Sequence, residues 1–155
     1  MMKRAPAIIA SVIGLAVGAY AGIHLVIPLV ASAAAWWLGR ALLPRLDERY
    51  LIAAAVQAGH LVWLALGQVL LGIRGPDLLD PLILLAGIAW LLAWPGLAPV
   101  VLLTVYQVVA LTVNAVTFVR LPVGHTIQKA LLVHLLWRLM ALVLMWRACA
   151  RRALA

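Results

Sequence analysis

The sequence predicts an all-α protein, a polytopic membrane helix bundle of six transmembrane helices, on two observations. Hydrophobic residues make up 68% of the 155 residues and charged residues only 10%, whereas soluble domains carry about 25% charged residues. The apolar residues also form long runs, which Pro, Gly and charged clusters divide. We therefore expect one integral membrane domain over 1–155. Its predicted spans are 5–21, 25–43, 50–73, 81–94, 97–119 and 126–147.

The first apolar run, 5–43, is too long for a single crossing. As one helix it would measure about 58 Å, roughly twice the hydrocarbon thickness of a bilayer. Its only breakers are Gly22, His24 and Pro28. We therefore expect a tight turn near 21–25 with one span on each side of it.

The N-terminal residues also resemble a signal peptide. Lys3 and Arg4 precede an apolar run that ends in an A-x-A pattern at 19–21. Because apolar sequence continues past Ala21 without a break, we expect a retained signal anchor rather than a cleaved peptide.

Small residues recur every fourth position along the first span, at Ala10, Gly14, Gly18 and Gly22. Such a face lets two helix backbones approach closely, so that van der Waals contact holds them together within lipid. Packing against a neighbouring span of the same chain is the first interpretation of this face. Docking against a partner subunit is the alternative.

The remaining spans are divided by turn residues. The span at 50–73 ends at the turn sequence 74–77, and the motif at 94–96, Trp-Pro-Gly, separates 81–94 from 97–119. The segment 81–94 is shorter than the ~17 residues of a typical crossing. Five spans, or four with re-entrant segments, are therefore alternatives to six.

Three ionisable side chains, His60, His134 and Arg138, fall deep inside the predicted spans, where an ionisable group indicates a functional site. The four acidic residues all fall in two predicted connectors, at 47–48 and 77–80. We therefore expect Arg138 to find no counter-charge in its own chain. An anionic lipid headgroup, an anionic substrate or a carboxylate of another subunit would then neutralise it.

The two buried histidines suggest a possible cofactor. His134 lies four residues before Arg138 on the same helix face, and His60 lies about 15 Å from the start of its span at Tyr50, so the histidines can meet at similar depth. Two histidines on facing helices can ligate a b-type haem. We expect no cofactor and no metal, with haem b through His60 and His134 as the alternative to hydrogen-bonded structural histidines.

Amide side chains surround these positions. Gln57 lies on the His60 face of its span, and the fifth span carries Gln107 and Asn114. Amides within a bilayer usually bond across helices at about 0.6 kcal/mol each. The alternative is a substrate or partner site, whose predicted residues are Arg138, His134, His60, Gln57 and Asn114.

Motifs of soluble enzymes are missing from the sequence. Only two serines are present, Ser11 and Ser32, both inside apolar runs, and Cys149 is the only cysteine. We therefore expect a non-enzymatic subunit or accessory of a larger complex in the cell inner membrane. Its expected partners are membrane lipid and either other membrane-protein subunits or a second copy of the chain. Nucleic acid is not expected as a partner, because the basic residues lie between apolar runs and are not clustered on a polar surface.

Two other functions stay open. The first is a transporter or channel for an anionic or amphipathic small molecule, which a weakly visible inverted repeat of three spans would suit. The second is the membrane subunit of a b-type cytochrome.

The basic residues predict the topology of the chain. With six spans, eight of them lie on the side of both termini and three on the other, and the positive side faces the cytoplasm. We therefore expect an alkaline phosphatase fusion to be inactive at position 155 and active at position 77. An active fusion at 155 would imply five crossings, and an inactive one at 77 would contradict the turn at 21–25.

Overall fold

The computed structural model describes residues 25–71 and 78–152, apart from the side chains of residues 71, 126, 151 and 152. The all-α class is confirmed, because the described residues form five helices and no strand. The helices are α1 (Val26–Leu42), α2 (Glu48–Leu71), α3 (Leu79–Ala93), α4 (Leu97–Arg120) and α5 (Thr126–Arg152).

Three of these helices, α2, α4 and α5, are long and apolar enough to cross a membrane. The other two, α1 with 17 residues and α3 with 15, are apolar but shorter. The six-span count is therefore not confirmed. The predicted span at 5–21, with its small residues Ala10, Gly14, Gly18 and Gly22, lies outside the described residues.

The helix ends follow local chemistry. The Asp47 side chain accepts a hydrogen bond from the Arg49 backbone N–H at 2.8 Å and so caps α2. Proline occupies the first turn of α1, α3 and α4, where its missing N–H costs no helical hydrogen bond. These prolines are Pro28, Pro81 and Pro99.

The turn between α4 and α5 is held by the Gln128 side chain. Its Nε2 donates to the carbonyl oxygens of Phe118 and Leu121, and its Oε1 accepts from the Gly124 N–H. Gly124 has a φ of 87°, which glycine adopts at little cost. The end of α4 is thereby satisfied and the chain reverses within five residues, Leu121 to His125.

Helices α2 to α5 form a closed four-helix bundle. In this bundle α2 contacts α3 and α5, and α4 contacts the same two helices. Its apolar core lies toward the end marked by the α3–α4 turn, and Leu84, Leu91, Val100, Leu103 and Met145 are fully buried there. Because α3 has only 15 residues and measures about 22 Å, the bundle has less helix at its opposite end.

Helix α1 lies outside this bundle and packs against α2. The contact is close because α2 presents the small residues Gly59 and Ala55 toward α1. A Cβ at Gly59 would overlap the Ser32 hydroxyl and the Pro28 carbonyl oxygen. Ser32 satisfies its own hydroxyl by donating to that carbonyl at 2.7 Å. Small residues therefore set the approach of the two helices.

This close approach predicts a stability effect at Gly59. Changing Gly59→Ala should lower the free energy of unfolding in detergent by about 1–3 kcal/mol, because the new methyl group meets the Pro28 backbone carbonyl as well as the Ser32 hydroxyl. Gly67→Ala on the same helix is the matched control, since no atom lies within 4 Å of the added Cβ. An equal loss in both variants would contradict a tight α1–α2 contact.

Candidate functional site

The interior of the four-helix bundle is crossed by two polar contacts that join opposite helices. Asp80 in the first turn of α3 pairs with Arg138 in α5, with Oδ2 and Nη2 2.9 Å apart. Gln107 in α4 donates from Nε2 to Oε1 of Gln57 in α2 at 2.7 Å. Arg138 Nη1 donates to Gln107 Oε1 at 2.8 Å and so connects the two contacts.

The Asp80–Arg138 pair corrects the expectation that Arg138 has no counter-charge in its own chain. Asp80 belongs to α3 rather than to a connector, and the shortness of α3 brings this first turn within reach of Arg138. Helix side chains point toward the N-terminus of their own helix, so Arg138 extends toward the end of the bundle where α3 begins. Asp80 and Arg138 are 58 residues apart in the sequence, so no local pattern predicted their contact.

The network extends at both ends. Tyr106 in α4 donates its hydroxyl to Asp80 Oδ1, and its ring lies 5.2 Å from the Arg138 guanidinium carbon, in cation–π geometry. At the other end, Gln57 Nε2 donates to the sulfur of Met145 at 2.9 Å. The Arg138 side chain is 1% exposed, and the Asp80 side chain is 35% exposed. One end of the ion pair is thus buried and the other is accessible.

His60 and His134 meet directly. His60 Nε2 and His134 Nδ1 are 2.8 Å apart, and the two ring centroids are separated by 5.1 Å. The Trp63 ring lies 6.4 Å from His134. A haem iron would have to lie between two ligating nitrogens, and this hydrogen bond leaves no space for a macrocycle there. Haem b through these residues would therefore need the rings to separate.

Two buried polar atoms of this region have no hydrogen-bond partner within the described part of the chain. They are His60 Nδ1 and Arg138 Nε. No group of three or more His, Cys, Asp or Glu side chains that could hold a metal ion occurs among the described residues.

A cleft of about 500 Å³ opens between α3 and α4 beside the ion pair; we call it the lateral cleft. Asp80, Tyr106, Asn114 and Arg138 provide its polar atoms, and the rest of its wall is apolar. The apolar lining consists of Leu79, Ile83, Leu102, Val105, Val109, Ala110 and Val113.

The predicted site residues thus fall into two groups. Arg138 and Gln57 belong to one buried network, and Asn114 lines the lateral cleft that reaches this network. His60 and His134 form a separate pair. Sequence reasoning missed Asp80 and Tyr106. Asp80 is the acidic residue closest to a predicted span, and that position was the signal that could have identified it.

Outside this region His125 has a local structural role. Its Nδ1 accepts a hydrogen bond from the Ile127 N–H at 3.2 Å, at the start of α5. His24, a predicted breaker of the first apolar run, lies outside the described residues.

The chain matches no protein-family model, and no curated protein or solved structure matches it.

The ion pair predicts asymmetric effects on stability. Asp80→Asn should lower the free energy of unfolding by about 3 kcal/mol, because a buried guanidinium loses its counter-charge. This value is at the low end of the cost of breaking a buried ion pair, because the Asp80 side chain is partly exposed. Adding Arg138→Met should restore part of that loss. Chemical unfolding in detergent measures both.

The exposed pair Arg40–Glu48, 3.5 Å apart, provides the control. Glu48→Gln should cost less than about 1 kcal/mol, because both side chains are more than half exposed. Equal costs for Asp80→Asn and Glu48→Gln would contradict a structural ion pair in the bundle.

Proposed function

We propose that this chain is a non-enzymatic membrane transporter that binds an amphipathic small molecule in the lateral cleft. The observation that carries the proposal is the Asp80–Arg138 pair, buried at Arg138 and accessible at Asp80, at the polar end of an apolar cleft. A charged group beside an apolar wall matches a molecule with an ionic head and a hydrocarbon body. Binding sites for small molecules commonly combine apolar walls with a few polar groups.

The accessible carboxylate favours a positively charged head. Arg138 already donates to Asp80 and Gln107, and its side chain is almost fully buried. An anionic head would have to displace Asp80 before it reached the guanidinium. A cationic head can approach the exposed side of the Asp80 carboxylate without breaking the pair, and Tyr106 offers an aromatic side chain beside it.

The apolar wall fits the remainder of such a molecule. Val105, Val109 and Val113 of α4 lie at intervals of four residues, along one face, and all three are exposed. The volume of about 500 Å³ lies within the range of ~300–1,000 Å³ for small-molecule sites. Because the exposed wall is apolar, we propose that the molecule reaches the site from the lipid phase.

The polar network provides a physical connection between the cleft and the centre of the bundle. A ligand at Asp80 changes the charge that faces Arg138, and Arg138 is bonded through Gln107 to Gln57. These four residues lie on the four helices of the bundle. A change in the ion pair can therefore alter the contacts between both diagonal pairs of helices. A transporter requires such a coupled change, because its binding site must open alternately to the two sides of the membrane.

The charge distribution supports an inner-membrane location with both termini in the cytoplasm. Arg40, Arg45, Arg49 and Arg147 all lie at the end of the bundle where α1 ends, α2 begins and α5 ends. Under the positive-inside rule this end faces the cytoplasm. The lateral cleft then lies near the middle of the membrane, because its lining on α4 runs from Leu102 to Asn114.

An accessory subunit of a larger complex is the second candidate. The short connectors favour it, since only Leu43–Asp47, Trp94–Gly96 and Leu121–His125 separate helices in those parts of the described chain. Its other premise, an Arg138 that needs a carboxylate from another subunit, is removed by Asp80. Ligand binding by the isolated protein distinguishes the two candidates.

Filling the lateral cleft should weaken ligand binding without touching the ion pair. Val109→Trp should weaken binding of dodecyltrimethylammonium, below its micellar concentration, by about tenfold or more, since it occupies the apolar wall. Val108→Trp is the matched control, because the neighbouring Val108 is also exposed but does not line the cleft. Titration of protein in zwitterionic nanodiscs measures the affinity.

Dodecyl sulfate, with the same hydrocarbon chain, tests the sign of the head. The unsubstituted protein should prefer the cationic probe by about tenfold or more. Preference for the sulfate would contradict recognition by Asp80, and no saturable binding of either probe would favour the accessory subunit. In proteoliposomes the protein should accelerate transfer of the cationic probe, and Val109→Trp should not.

A further inference from the structure

A second groove lies at one end of the bundle, between the start of α2 and the end of α5. It has a volume of about 200 Å³ and is lined by Arg49, Ile52, Leu144, Arg147 and Ala148. We call it the basic groove. Helices α2 and α5 pack against each other, so the two arginines come from separate parts of the sequence to flank one site.

The two arginines of the basic groove have no acidic partner among the described residues. The ion pairs of the described chain are Arg40–Glu48 and Arg138–Asp80. The nearest acidic side chains along α2 have other partners, since Glu48 faces Arg40 and Asp47 accepts from the Arg49 backbone N–H. Both guanidinium groups are therefore cations that face each other across a groove without a counter-charge from the described part of the chain.

Apolar residues continue the groove on the inward side of the arginines. Ile52 follows Arg49 by three residues on α2, and Leu144 precedes Arg147 by three residues on α5. Residues at this spacing share a helix face and are separated by about 4.5 Å along the axis. Each wall thus carries a cation near the helix end and an aliphatic side chain one turn deeper.

Tryptophans place this end of the bundle at a membrane interface. Trp94, in the α3–α4 turn, is 72% exposed, and Trp146 of α5 is 45% exposed. Trp37, near the end of α1, is also exposed. Indole rings concentrate at the level of the lipid headgroups. The arginines of the basic groove then lie at headgroup level, with Ile52 and Leu144 toward the acyl chains.

We propose that the basic groove binds an anionic phospholipid. The phosphate lies between Arg49 and Arg147, and the upper part of an acyl chain lies along Ile52 and Leu144. Guanidinium groups bind phosphate oxygens through paired N–H donors, and basic pockets between membrane helices are common sites for acidic lipid headgroups. The apolar part of the groove favours a lipid over free phosphate, which would need further polar donors in place of Ile52 and Leu144.

The lipid site is independent of the lateral cleft. It is formed by the start of α2 and the end of α5, and it includes no residue of the Asp80–Arg138 network. It also gives the basic end a role in addition to topology. A lipid held between α2 and α5 bridges two helices that form one side of the four-helix bundle.

Native mass spectrometry of the full chain tests this proposal. The protein is released from nanodiscs of phosphatidylcholine with one fifth phosphatidylglycerol, and the retained lipid is identified. We expect one phosphatidylglycerol per chain, enriched about tenfold or more over its share of the bilayer, and about tenfold less retention in the R49Q/R147Q double variant. R120Q, which removes one exposed arginine at the other end of the bundle, should change retention by less than about twofold.

Each other outcome decides against the proposal or refines its chemistry. The R49K/R147K variant keeps the two charges but lacks the paired N–H donors of a guanidinium group. If it retains less lipid than the unsubstituted protein and more than R49Q/R147Q, the result supports phosphate recognition by the guanidinium groups. Equal retention of phosphatidylcholine, or an equal loss in R120Q, would overturn a specific site. Displacement of the lipid by millimolar inorganic phosphate would show a free-anion site instead. Circular dichroism of each variant checks that its helices form.

Discussion

The ion pair between Asp80 and Arg138 is the interaction on which the interior of the molecule depends. A guanidinium that is 1% exposed inside an apolar bundle would be very costly without a counter-charge. Asp80 neutralises it, Gln107 accepts a second hydrogen bond, and Tyr106 covers it with an aromatic ring. Because Asp80 is carried by α3 and Arg138 by α5, the pair also sets the relative position of two helices on opposite sides of the bundle.

The short helix α3 connects this charge pair to the proposed binding site. A longer α3 would place Asp80 farther along the bundle and would cover the face of α4 that carries Val109 and Val113. With 15 residues, α3 begins beside Arg138, and among the described residues that face of α4 stays open. The same feature thus gives Arg138 its partner and opens the lateral cleft. The opposite half of the bundle is closed by apolar packing, including Leu103 against Gly87.

The two proposed binding sites have different chemistry. The lateral cleft combines one accessible carboxylate with valines, while the basic groove combines two arginines with aliphatic side chains. Opposite charges at the two sites favour opposite ligand charges. A cationic amphiphile in one site and an anionic lipid in the other would therefore not compete, and each site can be altered without changing the residues of the other.

The sequence by itself determined the helical class and the positions of most breaks. Long apolar runs have few ways to satisfy their backbone other than as helices, and the motif at 94–96 and the turn at 122–124 divide them close to the observed helix ends. It also identified Arg138, His60, His134, Gln57 and Asn114 as polar groups within apolar helices. These signals are local, since periodicity and breakers are read within one turn or one span.

Only the tertiary structure decided which of these groups meet. The pairing of Asp80 with Arg138 depends on the length of α3, on the direction of the Arg138 side chain and on the contacts that close the four-helix bundle. In the sequence Asp80 adjoins turn residues, so it is assigned to a connector. In the structure Asp80 lies in the first turn of α3, and its carboxylate therefore reaches a buried guanidinium. Contacts between residues 58 positions apart, such as this one, arise from packing and leave no periodic pattern in the chain.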